Sequence, residues 1–493
     1  MTKESIKLSS GGHIASSYIE HANRHFLTQD NQQAFIHYCG LPLRKSVRYN
    51  RLKIDQPSFL KIAEKYQWQL SPIPWCKEGF WIDLSNANHE QALGNLPEHI
   101  QGLFYIQEAS SMLPPVALLA GMQFEQPFVA DFAAAPGSKT TQLAAMLENR
   151  GVVLANELSA SRLKGLHANL VRCGIVNTCL SHLDAQKIGD YVPNTFDFVL
   201  LDAPCGGEGT VRKDSDALKN WDLNKVKELA QLQKFLILSA FKALKPGGRL
   251  VYSTCTLSPE ENQQVANFLL EETDAEVNDL GHLFDGAEQC RTSEGYLLVL
   301  PQVFDSEGFF ISSFTKPKEE VQVSLKPIYS SPFKKLPRKN SEAVLKYFQQ
   351  RFGIELDLDN FQLLQRDKEV WIFPAQIDYL NAYLKVKRGG MKIANVFPKK
   401  IRVTHEFACC FGDSASKQLV QLNSIQASDY YQGKNIEIEE TQYESANLSD
   451  GEVLLFYQGN VLGLGLNKKG RVKNALPRDL VRDNIQFSSL RSA

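Results

Sequence analysis

The sequence predicts an α/β protein organised around one parallel sheet, with a mixed N-terminal region and a small C-terminal β-barrel. Three observations predict it. Between residues 128 and 316, short apolar runs ("FVADFA", "GVVLANE", "TCLSHLD", "FDFVLLD", "GRLVYSTC") alternate with segments of helical pattern such as "SASRLKGLHANLVRCG" and "KVKELAQLQKFLILSAFKAL". Strands that alternate with helices form parallel sheets. Strands buried on both faces read as near-continuous hydrophobic runs, as these do. From residue 396 to about 480, apolar strands separated by glycine turns, as in "EVLLFYQGNVLGLGLNKKGRVKN", indicate the barrel.

The chain has 493 residues, room for about three domains. Residues 1–120 mix helical and extended patterns and are read as one region; "QAFIHYCGLPLRKSVRYNRLKI" predicts a helix, a turn and a strand with basic residues. Residues 121–316 hold the α/β sheet. The Pro/Lys/Ser-rich stretch from Thr315 to Asn340 is the linker candidate. The span 317–395 is read as linker plus a small mixed unit, and 396–480 as the barrel domain. No apolar run reaches the length of a membrane helix, and the polar start "MTKESIKLSSGG" lacks a secretory core. A cytoplasmic protein with no membrane partner is expected.

Nine cysteines, an odd number without a C-x-x-C pair, point to reduced thiols rather than a disulfide framework or a zinc site. No metal is expected. The net charge of −1 says nothing of nucleic acid. The distribution does. Arg44, Lys45, Arg48, Arg51 and Lys53 form one acid-free cluster. Lys385, Lys387, Arg388, Lys392, Lys399, Lys400 and Arg402 form a second, and Lys468, Lys469, Arg471, Lys473 and Arg478 a third. They fit either a shared phosphate-binding track or separate solvated faces.

In "VADFAAAPGSKTTQ" a strand ends at Asp131 and a loop of small residues enters a helix. Small residues permit close approach of a ligand, and a helix N-terminus favours polar or anionic groups. The phosphate loop G-x-x-x-x-G-K-[ST] is absent, because Ser138 separates Gly137 from Lys139; G-x-G-x-x-G is absent too. Instead Asp131, Glu157, Asp184 and Asp202 stand at the ends of four successive strands, where open α/β sheets bind ligands. An acid after the second strand suits ribose hydroxyls. The pattern fits a class I (Rossmann-like) methyltransferase sheet that binds S-adenosylmethionine.

Two thiols also end strands: Cys205 in "LLDAPCGGEGT" and Cys255 in "LVYSTCT". Amine methylation on such sheets needs no thiol. Methylation of a pyrimidine carbon does, because C5 of cytosine is a poor nucleophile until a thiolate adds to C6. A helix predicted to start near Ser258 and Pro259 would favour a thiolate at Cys255. Asp202 is placed to bond the N3/N4 edge of the base.

These residues carry a resemblance. "DFAAAPGSKT", "NELSASRL", "LLDAPCGGEGTVRK", "LKPGGRLVYSTCTLSPEENQ" and "EGFFISSF" resemble, in order, motifs of the RNA 5-methylcytosine methyltransferases of the NOL1/NOP2/Sun group. The resemblance covers about residues 30–316. It implies a cofactor loop at Ala133, Ala134, Ala135, Pro136, Gly137, Ser138 and Lys139, a ribose acid at Glu157, an adenine-side acid at Asp184 and, at Asp202, the acid of the fourth motif, counted with the cofactor-binding residues. It implies Cys255 as nucleophile and Cys205 as the thiol that assists product release, a division that spacing alone leaves open. The flanking stretches "LRKSVRYNRLK", "IPWCKEGFWI" and "LFYIQEASSMLP" are similar to a bacterial branch acting on 16S rRNA, at cytosine-1407 of the decoding region. They imply a PUA-like RNA-binding tail and the small ribosomal subunit as partner. A transfer RNA cytosine as acceptor, or an inactive ribosome assembly factor, are the alternatives. Gly206 departs from the family pattern, which has serine there.

Overall fold

The structure is a computed structural model describing residues 5–88, 92–318, 327, 329–398, 400–445, 447–483, 485 and 487. Of the predicted linker, 319–326 and 328 lie outside these residues, as does Lys399 of the second basic cluster.

The central sheet has nine strands: β1 (Phe128–Asp131), β2 (Val152–Asn156), β3 (Thr178–Ser181), β4 (Phe196–Asp202), β5 (Leu244–Thr254), β6 (Glu276–Val277), β7 (Leu297–Val299), β8 (Phe309–Thr315) and β9 (Val386–Gly389). Their order is β6-β8-β5-β4-β1-β2-β3-β9, with β7 also on β8. Strands β1 to β5 are mutually parallel; β8 runs antiparallel to β5, and β9 antiparallel to β3. The predicted parallel strands are all present.

Alternate residues of each strand enter opposite cores, as the two-residue period requires. Val129, Val153, Phe198, Leu200 and Val251 pack with the helix Leu113–Leu119 and with Leu143 and Leu147. Ala130, Leu154, Val199, Leu201 and Tyr252 pack with Leu236, Ile237 and Ala240 of α3 (Leu223–Ala243) and Val265 and Leu269 of α4 (Gln263–Glu272). Two further helices of this region are α1 (Ser138–Met146) and α2 (Ala160–Arg172). Helix α4 starts at Gln263, later than the predicted start near Ser258. Residues 259–262 form turns instead, so a helix N-terminus does not stand directly behind Cys255.

Two five-stranded sheets follow. Strands Phe361–Arg366, Glu369–Pro374, Met391–Phe397 and Lys400–Val403, with Lys334–Lys335, form the first. Strands Leu419–Gln421, Ile436–Glu437, Gly451–Tyr457, Asn460–Lys468 and Arg471–Asn474 form the second. A boundary at residue 396 therefore cuts a strand: Met391–Phe397 is paired to Glu369–Pro374, and the break between the sheets comes after the helix His405–Phe411. Uniform glycine and apolar patterning across both sheets hid it. No helix among the described residues is long and apolar enough to cross a membrane.

The first basic cluster is largely structural. Arg48 is 3% exposed. Its guanidinium donates to Gln107 Oε1 (3.0 Å) and Thr141 Oγ1 (3.0 Å), tying the strand Lys45–Tyr49 to α1. Lys53 donates to the Gln101 carbonyl (2.9 Å), and Arg51 pairs with Glu148 (3.1 Å). Removing a buried charged donor leaves its partners unsatisfied, so Arg48→Ala is expected to destabilise the protein by about 2 kcal/mol or more. A thermal unfolding midpoint unchanged from wild type would contradict this reading.

Candidate active site

The carboxyl ends of β1, β2, β4 and β5 meet at one rim. Residues 133–137 follow β1, and α2 holds this loop from behind. Asn169 Nδ2 donates to the Pro136 carbonyl (2.9 Å) and Arg162 to the Ala135 carbonyl (2.5 Å). The Ala135–Pro136 peptide is cis. Gly137, at φ +106°, begins α1, and a Cβ there would stand 2.8 Å from Leu166 Cδ1. Only glycine fits both the left-handed backbone and the contact.

Asp131 is buried, and its Oδ2 accepts from Thr140 Oγ1 (2.7 Å). Burial pushes its carboxyl up to about 7, against that hydrogen bond. Its Oδ1 has no hydrogen-bond partner among the described residues. Glu157, buried at the end of β2, accepts from the Ser159 amide (2.7 Å) and pairs with Arg162 (3.2 Å). Asp184 lies three residues past β3 and accepts from the Gln186 amide (3.0 Å), capping a short turn.

Lys139 and Asp202 join the two halves of the site. Lys139 Nζ donates to Asp202 Oδ2 (2.8 Å) and Ser111 Oγ (2.8 Å); Ser253 Oγ donates to Asp202 Oδ1 (2.8 Å). Burial opposes the charge on Lys139, but the Asp202 carboxylate prevails and holds the ammonium above the usual lysine range. Cys255 lies within its electrostatic reach.

The two thiols are in contact, Cys205 Sγ to Cys255 Sγ 3.3 Å. Hydrogen bonding to Cys255, then burial, raise the Cys205 thiol well above its ordinary value. Two buried acids that the sequence reading missed shape their loops. Glu208 Oε2 accepts from the amides of Leu257 (3.0 Å) and Ser258 (2.8 Å), and its Oε1 from Trp221 Nε1 (2.6 Å). It thereby fixes the turn after Cys255. Glu261 accepts from the Gly206 amide (3.0 Å) and from Gln233 Nε2 (2.6 Å), fixing the turn after Cys205. The only local sign of either was an acid beside each cysteine motif.

Glu261 also accounts for Gly206. A Cβ at residue 206 would stand 2.8 Å from Glu261 Oε1. The missing serine is matched by a carboxylate seated directly on the backbone amide.

Fold and site together define a class I, S-adenosylmethionine-dependent methyltransferase. The loop fits that cofactor: its small residues end in a glycine with no room for a Cβ, a buried Asp131 oxygen is unpartnered among the described residues, and a carboxylate ends the next strand. Sequence profiles match along the chain: 16S rRNA methyltransferase RsmB/F at 118–315, the N-terminal domain of 16S rRNA methyltransferase RsmF at 15–109, the pre-PUA domain of ribosomal RNA small subunit methyltransferase F at 333–411, and the methyltransferase RsmF PUA domain at 417–482. The chain belongs to the ribosomal RNA small subunit methyltransferase F family. It is 47% identical to that protein from Aeromonas hydrophila subsp. hydrophila, over 92% of this chain and 94% of the relative. It is 47% identical to that of Erwinia tasmaniensis, over 96% and 98%. A methyltransferase homolog protein from Pyrococcus horikoshii is similar in structure (TM-score 0.50, 33% identity, 62% of this chain and 100% of that one). The NSun6 structure from Pyrococcus horikoshii with SFG shares the fold (TM-score 0.52, 22% identity, 62% and 98%).

Burial raises the Glu261 carboxyl from 4.5 to about 7, Glu208 adding to the rise and the Gln233 and Gly206 hydrogen bonds opposing it. An acid raised in the folded state contributes stability that is complete below its unfolded pKa and is lost as pH rises through the folded one. Glu261→Gln is therefore expected to gain stability relative to wild type between about pH 5 and about pH 8. A difference in unfolding midpoint that stays flat with pH would refute the assignment.

Proposed function

We propose that this protein methylates C5 of a cytosine in 16S ribosomal RNA, within the small ribosomal subunit in the cytoplasm. The observation that carries the reading is the Cys205–Cys255 contact beside the Lys139–Asp202 pair. Amine methylation has no use for two apposed thiols, whereas addition to and elimination from a pyrimidine ring uses both. The names of the relatives support ribosomal RNA as the substrate, and the family resemblance of the flanking segments favours cytosine-1407.

Ala133 to Lys139, with Glu157 and Asp184, would hold S-adenosylmethionine, which when bound supplies a methyl group on a positively charged sulfur. The target base must leave its stack, at a cost of a few kcal/mol. Cys255, as thiolate, forms a bond to C6 and breaks the aromaticity, leaving C5 nucleophilic. Asp202 accepts a hydrogen bond from the N4 amino group and so orients the base. After C5 is methylated, solvent water acting as the base takes the C5 proton, and the electron pair of that C–H bond reforms the ring double bond as the Cys255 thiolate leaves C6. The Cys205 S–H, 3.3 Å away, donates to the departing sulfur.

The second and third basic clusters supply the RNA face. Lys385, Lys387, Arg388, Lys400 and Arg402 are exposed, as are Lys468, Lys469, Arg471, Lys473 and Arg478. Lys387 and Arg388 border a cleft of about 1030 Å³ between α2, the N-terminal region and the C-terminal sheets.

Bisulfite sequencing of ribosomal RNA exposed to wild type and variants tests the reading. Cys255→Ala should abolish the new 5-methylcytosine. Cys205→Ala should retain the RNA as an adduct that survives denaturing electrophoresis. Methylation by Cys255→Ala would overturn the mechanism, and methylation confined to transfer RNA would overturn the substrate. Lys387→Glu should weaken RNA binding and lower the slope of log affinity against log salt by about one. An unchanged slope would remove that face from the RNA path.

A further inference from the structure

Next to the catalytic loops, but outside them, His21 and His25 face Glu260. The two histidines are four residues apart on the helix Ser16–His25, a spacing that puts both on one face. Their rings lie 4.6 Å apart, centroid to centroid. Glu260 comes from the turn between Cys255 and α4, and His21 Nε2 lies 3.0 Å from its Oε1. One nitrogen from each histidine and one carboxylate oxygen all lie within 4.8 Å of one another.

A hydrogen-bonded His–Glu pair explains part of this arrangement. It leaves over His21 Nδ1 and Glu260 Oε2, both buried and without a partner among the described residues. His21 is 6% and Glu260 8% exposed. His25 is exposed, so the group is closed on one side and open to solvent on the other. Trp221 walls the closed side, its ring 5.1 Å from that of His21.

We propose that His21, His25 and Glu260 form a zinc site. Two imidazoles and a carboxylate are a borderline donor set that suits zinc, with a fourth position left for water. The ion replaces whatever proton His21 and Glu260 share, and that proton is released to solvent. Glu260 Oε2, unpartnered beside the bonded Oε1, gives the carboxylate a second oxygen that can turn to the ion. No step of methyl transfer passes through it. Its effect is mechanical: it joins the N-terminal helix to the turn that carries Cys255. Trp221 strengthens that link, since it packs on His21 and donates to Glu208, which fixes the same turn. The expectation of no metal rested on the cysteines. It could not foresee a set assembled from residues 21, 25 and 260.

The apposed thiols Cys205 and Cys255 could also take zinc, so the test uses the full-length Cys205→Ser/Cys255→Ser variant. Zinc is titrated in competition with a chromogenic chelator. One equivalent should bind, and His25→Ala should weaken it on the order of 100-fold. Glu260→Gln, which keeps a hydrogen-bond acceptor for His21, should weaken it likewise. Cobalt(II) should give visible bands of a nitrogen–oxygen site with no sulfur-to-metal charge transfer. Zinc should raise the melting temperature of the parent and leave that of His25→Ala unmoved. Binding that is absent, or unchanged in both variants, or marked by a sulfur band, would overturn the proposal and leave a hydrogen-bonded pair only.

Discussion

The pairing of β4 with β5 is the constraint on which the site depends. The two strands are parallel neighbours, with Asp202 opposite Ser253, and Ser253 Oγ closes the register by donating to Asp202 Oδ1 at 2.8 Å. Each chain leaves the sheet at the same level and reaches a cysteine within three residues. Two thiols fifty positions apart are therefore neighbours at 3.3 Å. A slip of one residue in this register would turn one loop away from the other.

Around that pair the sequence places three acids, Glu208 and Glu261 buried and Asp202 half-buried, each with a distinct task. Asp202 receives Lys139 from the loop after β1 and so connects the cofactor side to the thiol side. Glu208 and Glu261 each seat a carboxylate on backbone amides of a cysteine loop. Buried carboxylates are costly unless hydrogen-bonded, and these carry several hydrogen bonds each. Those hydrogen bonds hold each cysteine loop to the other. Preorganisation of this kind places reacting groups before the substrate arrives.

Much of this was legible in the sequence. The apolar runs located β1 to β5 along the chain, and Asp131, Glu157 and Asp202 stand where strand ends predict. Most of what escaped at the site depends on partners distant in the chain. Arg48 reads as a surface cation in its cluster, yet it is buried because Gln107 and Thr141 are waiting for it. Glu208 and Glu261 read as ordinary polar turn residues until their amide partners, some fifty residues away, are in place. Helix α4 starts late because Asn262, at φ −111° and ψ −94°, leaves the helical region, its side chain donating to the Thr256 carbonyl (3.0 Å) and accepting from Thr254 Oγ1 (2.5 Å), bonds invisible to local propensity. Gly206 looked like a lost hydroxyl and is a site where a carboxylate occupies the space.

The central claim is the division of labour between the two thiols, and one measurement addresses it directly. RNA substrate carrying 5-fluorocytosine at the target position cannot lose its C5 substituent as a proton, so the adduct persists after methyl transfer. Digestion and mass spectrometry of the stalled wild-type complex then locate the bond. The account predicts the modified nucleotide on the peptide that contains Cys255, with Cys205 unmodified. A nucleotide attached to Cys205 would contradict it.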